Sequence, residues 1–310
     1  MKKYISKLKI ILLLIFVFAL FPCVSFAAKL YFEPSEGNYF QGDNFIVAVR
    51  IEPDGECINT VKANIGFPQD ILEAIEFSQG NSILTLWVKN PEISQGSGQI
   101  SFIGGTPGGF CGRLAGDPEK SNLLGKIIFQ VKELNISEKT KATIKFLDDS
   151  QALLNDGFGT PANLVGQNAE FNILSVVAET PKTEWQEELK KDNVPPEAFE
   201  INILRDPSIF NGRYFIVFST TDKQTGVDFY EVKEGKKDWK KATTSPYLLE
   251  DQSLTSIIKV KARDRAGNER IAEHLPLRKP TVWYLIISVL ILGAVIWWFS
   301  KKRLKSKAKK

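Results

Sequence analysis

Between Leu30 and Val176 apolar and polar residues alternate in short runs separated by turns. The clearest run is Thr60-Val61-Lys62-Ala63-Asn64-Ile65-Gly66-Phe67, whose odd-numbered residues suit a core and whose even-numbered residues suit water. Lys141-Ala142-Thr143-Ile144-Lys145-Phe146 repeats the pattern with Lys and Thr outward. Further strands are expected at Leu30–Glu33, Phe45–Ile51, Ile83–Val88, Gln99–Ile103, Gly125–Val131 and Ala169–Val176. Turn chemistry separates them, at Glu52-Pro53-Asp54-Gly55, Gln95-Gly96-Ser97-Gly98, Gly104–Gly109 and Asn155-Asp156-Gly157. Helical periodicity is confined to a turn around Gln69–Leu72. About nine strands with one wet face predict a β-sandwich over residues 28–176.

Residues 177–196 break this pattern. Glu184–Lys191 suits a short helical turn, and Pro181 and Pro195-Pro196 bound the segment as a linker. Alternation resumes over residues 197–278, with strands expected at Phe199–Leu204, Tyr214–Ser219, Val227–Val232, Ile257–Ala262 and Arg270–His274. The fold class is therefore all-β, with a second and smaller sandwich.

Two long apolar runs lie outside both domains. Val282 to Ser300 carries no charge, and at about 1.5 Å per residue it spans roughly the 30 Å of a bilayer's hydrocarbon core. Trp283, Tyr284, Trp297 and Trp298 stand at its ends, where amphipathic rings favour the interfaces. The tail 301–310 follows with Lys301-Lys302-Arg303 and four more lysines, which fixes it in the cytoplasm by the positive-inside bias. The expectation is one C-terminal transmembrane helix in a lipid bilayer, with both β domains extracellular. At the other end, Lys2, Lys3, Lys7 and Lys9 precede an apolar run to Val24 and then Ser25-Phe26-Ala27. This reads as a signal peptide over residues 1–27; an uncleaved second membrane helix is the alternative. Cys23 follows Pro22, where a lipoprotein signal needs a small residue.

These ends change the electrostatic picture. Of 40 basic residues, four lie in the signal and seven in the tail, with no acid in either, so 29 basic and 36 acidic residues remain between them. The basic surplus is a topology signal and not a partner signal, and no nucleic-acid partner is expected. Cys57 and Cys111 remain after the signal. An even pair in an oxidising setting reads first as a disulfide closing a loop of some 55 residues; two buried thiols are the other reading.

Ile65-Gly66-Phe67-Pro68 followed by Ile71-Leu72-Glu73-Ala74-Ile75 resembles a stretch of cohesin domains. The resemblance continues through Gly80–Leu84, Ile100–Gly105, Gly125–Phe129 and Leu154–Thr160, over some 145 residues. It implies a nine-stranded jelly-roll sandwich, related in fold to carbohydrate-binding modules. It also implies a face that docks a protein module, the dockerin, with a link to polysaccharide breakdown. The Gly104–Gly112 loop with Cys111, and Gly116-Asp117-Pro118, depart from the family pattern. In the second domain, Thr225–Val232, Trp239, Ser245-Pro246-Tyr247 and Val260–Asn268 resemble bacterial immunoglobulin-like or fibronectin-like repeats, which implies a spacer.

Catalytic chemistry is scarce. His274 is the one histidine, so no Ser-His-Asp or Cys-His arrangement and no His-rich zinc site can be built. The glycines of Gly104–Gly109 lack the Lys-Ser/Thr ending of a phosphate loop. Asp148, Asp149 and Asp156 could offer oxygen ligands to calcium, without the alternating spacing of a calcium loop. A glycosidase carboxylate pair finds poor material on a face of Lys, Thr and Ser. The chain is thus expected to be a membrane-anchored binding protein, not an enzyme, and to work without a cofactor. Its partner is a dockerin-like module or, alternatively, a glycan; a structural adhesion role is the third reading. The partner face is expected at Thr60, Lys62, Asn64, Ser101, Ile103, Thr143 and Lys145, with Trp87 as aromatic anchor.

Overall fold

A computed structural model describes residues 27–113, 122–133, 139–175, 181–242, 245–276 and 282–307. The signal peptide expected over residues 1–27 lies almost wholly outside them, and so do Cys23 and Gly116-Asp117-Pro118. The chain divides into two compact units. The first comprises Met1–Glu197, Thr221–Asp228 and Arg263–Glu269; the second comprises Ala198–Thr220, Phe229–Ala262 and Arg270–Lys310.

Twelve strands lie in the first unit among the described residues: β1 (Ala28–Glu33), β2 (Glu36–Phe40), β3 (Asn44–Glu52), β4 (Ile58–Gly66), β5 (Leu72–Ser78), β6 (Leu86–Ser94), β7 (Gln99–Phe110), β8 (Leu123–Val131), β9 (Thr140–Phe146), β10 (Gln151–Leu154), β11 (Leu164–Gly166) and β12 (Ala169–Leu174). They form a five-stranded sheet, β11-β1-β3-β8-β5, and a seven-stranded sheet, β2-β12-β9-β4-β7-β6, in which β10 also pairs β4. The alternation read along residues 60–67 holds: Val61, Ala63, Ile65 and Phe67 are buried, and Thr60, Lys62 and Asn64 face the other way. Phe45 and Phe129, neighbours in one sheet at a ring separation of 5.8 Å, meet Phe171 at 5.2 Å and Phe67 at 5.4 Å, respectively, from the other sheet's chain segments. Each such ring removed from water contributes about 1.5–3 kcal/mol, which makes this aromatic layer the main lock between the sheets.

Nine strands were expected, and the extra ones are short edge or interrupted pieces. β9 and β10 are two halves of one position beside β4: Phe146 pairs Ile65, and Gln151 then pairs Lys62. Ser150 fills the break, its Oγ accepting from Asn64 N at 3.0 Å. The expected helical turn at Gln69–Leu72 is a turn on Pro68, whose carbonyl accepts from Ile71 and Leu72 N, and β5 begins there. The glycine stretch 104–109 is not a loop but part of β7, with positive φ only at Gly108 and Gly109. At the outer edge of the larger sheet, β6 carries register shifts between Trp87 and Lys89 and between Lys89 and Glu92, with Pro91 inside the second.

The segment expected as a linker does hold a helix, α1 (Glu184–Lys191), and it packs on the five-stranded sheet. Trp185 is buried and its Nε1 donates to Glu76 Oε2 at 3.1 Å. Ile46 N donates to Glu184 Oε2, and Lys126 Nζ to Glu188 Oε2 at 2.6 Å. Acids in the first turn and Lys190 and Lys191 in the last complement the helix dipole.

The second unit contains a three-stranded sheet of β13 (Asn202–Arg205), β14 (Tyr214–Val217) and β17 (Tyr247–Leu248). A four-stranded sheet, most of whose residues belong to this unit, is formed by β15 (Val227–Glu234), β16 (Lys240–Ala242), β18 (Ile258–Asp264) and β19 (Glu269–His274). Ile216 and Phe218 pack with Val232, Ile258 and Val260 in one buried cluster between the sheets. A final helix, α2, runs Val282–Lys307. Among the residues described with their side chains, which in α2 are 286–298, no helix is long and apolar enough to cross a membrane.

Candidate functional site

The open face of the larger sheet is built from strand register. Because side chains alternate, residues paired across β10, β4, β7 and β6 form outward rows about 4.8 Å apart from strand to strand. One row is Leu153, Thr60, Gly105 and Leu86. The next is Gln151, Lys62, Ile103 and Lys89, and a third joins Asn64, Ser101 and Glu92. Thr60, Lys62, Asn64, Ser101 and Ile103, expected on one face, are thus neighbours on it, all half-buried.

The other three expected residues fall elsewhere. Lys145 pairs Gly66 at the far end of β4. Thr143 pairs Glu170 of β12, away from Thr60, because β9 turns from β4 toward β12. Trp87 is not the exposed anchor. It pairs Gly104 on the inward side, and its ring stands edge-on to Phe77 at 6.3 Å and Phe102 at 5.7 Å. Leu86 at 57% and Val88 at 68% exposure take the outer side instead. Sequence reasoning missed Leu86, Lys89 and Glu92; register counted from Gln99 across the turn reaches Glu92, but the two shifts in β6 hide Lys89 and Leu86 from such counting.

The face is nearly neutral in its pairing. Lys62 Nζ lies 3.4 Å from Asp149, which also accepts from Asn64 Nδ2. Lys89 Nζ donates to Ser101 Oγ at 2.8 Å and pairs Glu92 at 2.9 Å. Such exposed pairs contribute little to stability, about 0–1 kcal/mol, and leave their charges available to a partner.

Cys57 and Cys111 form the expected disulfide. It follows directly on the pair Ile58–Phe110 and so clamps the ends of β4 and β7. The adjoining loop Asn155–Thr160 is tied to the same end: Asn155 N donates to Cys57 O at 2.8 Å and its Nδ2 to Gly108 O at 2.9 Å. Asp156 is held well below the usual carboxylate range by hydrogen bonds from the Thr160 side chain and from the backbone of Phe158, Thr160 and Gly159.

The acids considered for calcium do not converge, since Asp149 serves Lys62 and Asn64 while Asp156 caps its own loop. A different trio does. Asp192, Asp222 and Asp264 are buried and present carboxylate oxygens within 4.8 Å of one another. Thr225 Oγ1 donates to Asp192 at 2.6 Å, and the backbone N–H groups of Gln224, Thr225 and Gly226 donate to Asp222. Burial pushes the Asp222 carboxyl up, and Asp192 and Asp264 push the same way. Three hard oxygens at this spacing could hold a divalent cation or share a proton.

Two packed sheets, one of them with a continuous, half-buried, mixed face, define an all-β sandwich. Solved structures to which this chain is similar include cohesins. A type I cohesin in complex with a dockerin from Clostridium thermocellum shares 15% identity over 49% of this chain and 96% of its own, with a TM-score of 0.39. A non-cellulosomal cohesin from Archaeoglobus fulgidus shares 16%, covering 48% and 92%, at 0.37. The cohesin module of a Clostridium perfringens family 33 glycoside hydrolase shares 16%, covering 49% and 98%, at 0.35. No protein-family model matches the chain. No curated protein matches it either.

Proposed function

We propose that this chain is a non-catalytic docking protein whose first domain binds a dockerin-like protein module across the β4–β7 face. The observation that carries the reading is the contiguity of Thr60, Lys62, Asn64, Ser101 and Ile103 on two paired strands. Hydroxyl, amide, lysine and one aliphatic side chain make the mixed surface of a moderately polar protein interface. The cohesin-like order of segments from Ile65 to Thr160 supports the same partner class, and with it a link to polysaccharide breakdown through an enzyme-borne module. A glycan partner is the weaker reading, because Trp87 packs inward and the face offers no aromatic platform.

In this proposal Val282–Ser300 and the basic tail anchor the chain in the cell membrane, residues 1–27 direct export, and residues 197–278 form an immunoglobulin-like spacer outside the cell. Protease added to intact cells should then remove both β domains and leave a Lys-rich membrane fragment. Binding is tested with the full chain in detergent against a panel of calcium-loaded dockerin modules. Lys62→Glu and Ile103→Asp should each weaken capture at least tenfold with melting unchanged. Undiminished binding in both variants would move the site off this face.

A further inference from the structure

Phe158 is 91% exposed, more than any other large apolar residue among those described. Its loop is nevertheless built with care. Leu154 N donates to Thr160 O at 2.8 Å, and Leu153 bridges Pro161 just beyond. Asp156 Oδ1 accepts from Phe158 N at 2.8 Å and from Gly159 N at 3.2 Å. Gly157 and Gly159 supply the positive φ, +79° and +71°, that this tight reversal needs. Folding gains nothing from the ring itself, yet these three hydrogen bonds and the two from Asn155 to the disulfide-clamped end hold the loop in one place.

We propose that Asn155–Thr160 is a preformed recognition knob, and that Phe158 enters an apolar pocket on the protein module that docks at the neighbouring face. This rests on the docking reading above. Position argues for it: β10 pairs β4, so Leu153 stands beside Thr60 in the apolar row that ends at the exposed Leu86. Chemistry selects a protein over the other occupants. Between Leu153 and Leu164 there is no Lys or Arg, and the one charge is the acidic Asp156, so an anionic bilayer is not attracted. Phenylalanine also lacks the polar handle by which Tyr and Trp serve headgroups and sugars. Rigid aromatic anchors held in their bound geometry are the residues that dominate protein interfaces.

The test uses the full chain in detergent, the dockerin panel as probe, and vesicles of phosphatidylcholine with 30% phosphatidylglycerol alongside. Phe158→Ala should weaken dockerin capture at least tenfold while the melting temperature stays fixed, because the ring has no intramolecular role. Asp156→Ala should weaken it less, by loosening the loop. If Lys62→Glu loses binding and Phe158→Ala does not, the knob is overturned and the docking face stands. If no dockerin binds the unaltered chain, the docking reading fails and the knob fails with it. Vesicle binding that depends on Phe158 would overturn the protein pocket in favour of a lipid surface.

Discussion

Single residues decide most of what the face can do. Trp87 shows how burial reassigns a residue that composition marks for binding. Between Phe77 and Phe102 it is a packing element, so Trp87→Ala should lower stability by about 2 kcal/mol, less than a fully buried ring would cost. Binding per folded molecule should be unchanged; a binding loss with normal melting would restore it as an anchor. Asp156 makes a separate prediction about pH. Its folded carboxyl titrates below its ordinary value because Thr160, Phe158 and Gly159 donate to the charged form. Its contribution is therefore complete above the unfolded value near 3.8. It is lost as pH falls from there through the lower, folded value. Amide signals of Phe158 and Gly159 should shift together across that acid range and stay flat above it, and Asp156→Asn should remove the transition.

At the scale of elements, much was legible because one face of each strand is buried. Val61, Ala63 and Ile65 had to share a side, and Thr60, Lys62 and Asn64 had to share the other, once period two was recognised. What stayed hidden depended on partners distant in sequence. Strand β2 pairs β12 in parallel across more than a hundred residues, and Glu36–Phe40 shows little alternation of its own. The run through Gly104–Gly109 looked like a loop because glycine signals turns, whereas here Gly104 yields to Leu84 and Gly105 lies close against Asn59. Thr143 and Lys145 were placed on the right kind of face but at the wrong place in it, since alternation gives side and not strand order. The cysteine pair was readable from its even count, taken with an expected oxidising setting. Its bridge spans 54 residues, which corresponds to about 4 kcal/mol in the chain-entropy account. Reduction should lower the melting temperature and free the Asn155–Thr160 loop as well; two alkylatable thiols in the unreduced protein would contradict the bridge.

For the molecule as a whole, two compact units share one chain, and the larger has an edge that ought to be dangerous. An outermost strand of nine residues offers unpaired donors and acceptors to any extended neighbour. β6 denies that neighbour a straight template: the ladder slips twice within its length, and Pro91 withholds a donor inside the second slip. Deleting Asn90 and Pro91 to straighten the strand should therefore produce concentration-dependent assembly, visible by light scattering, at concentrations where the unaltered chain remains dispersed. The irregularity works as insulation. Copies crowded side by side can keep their sheet faces open without knitting to one another.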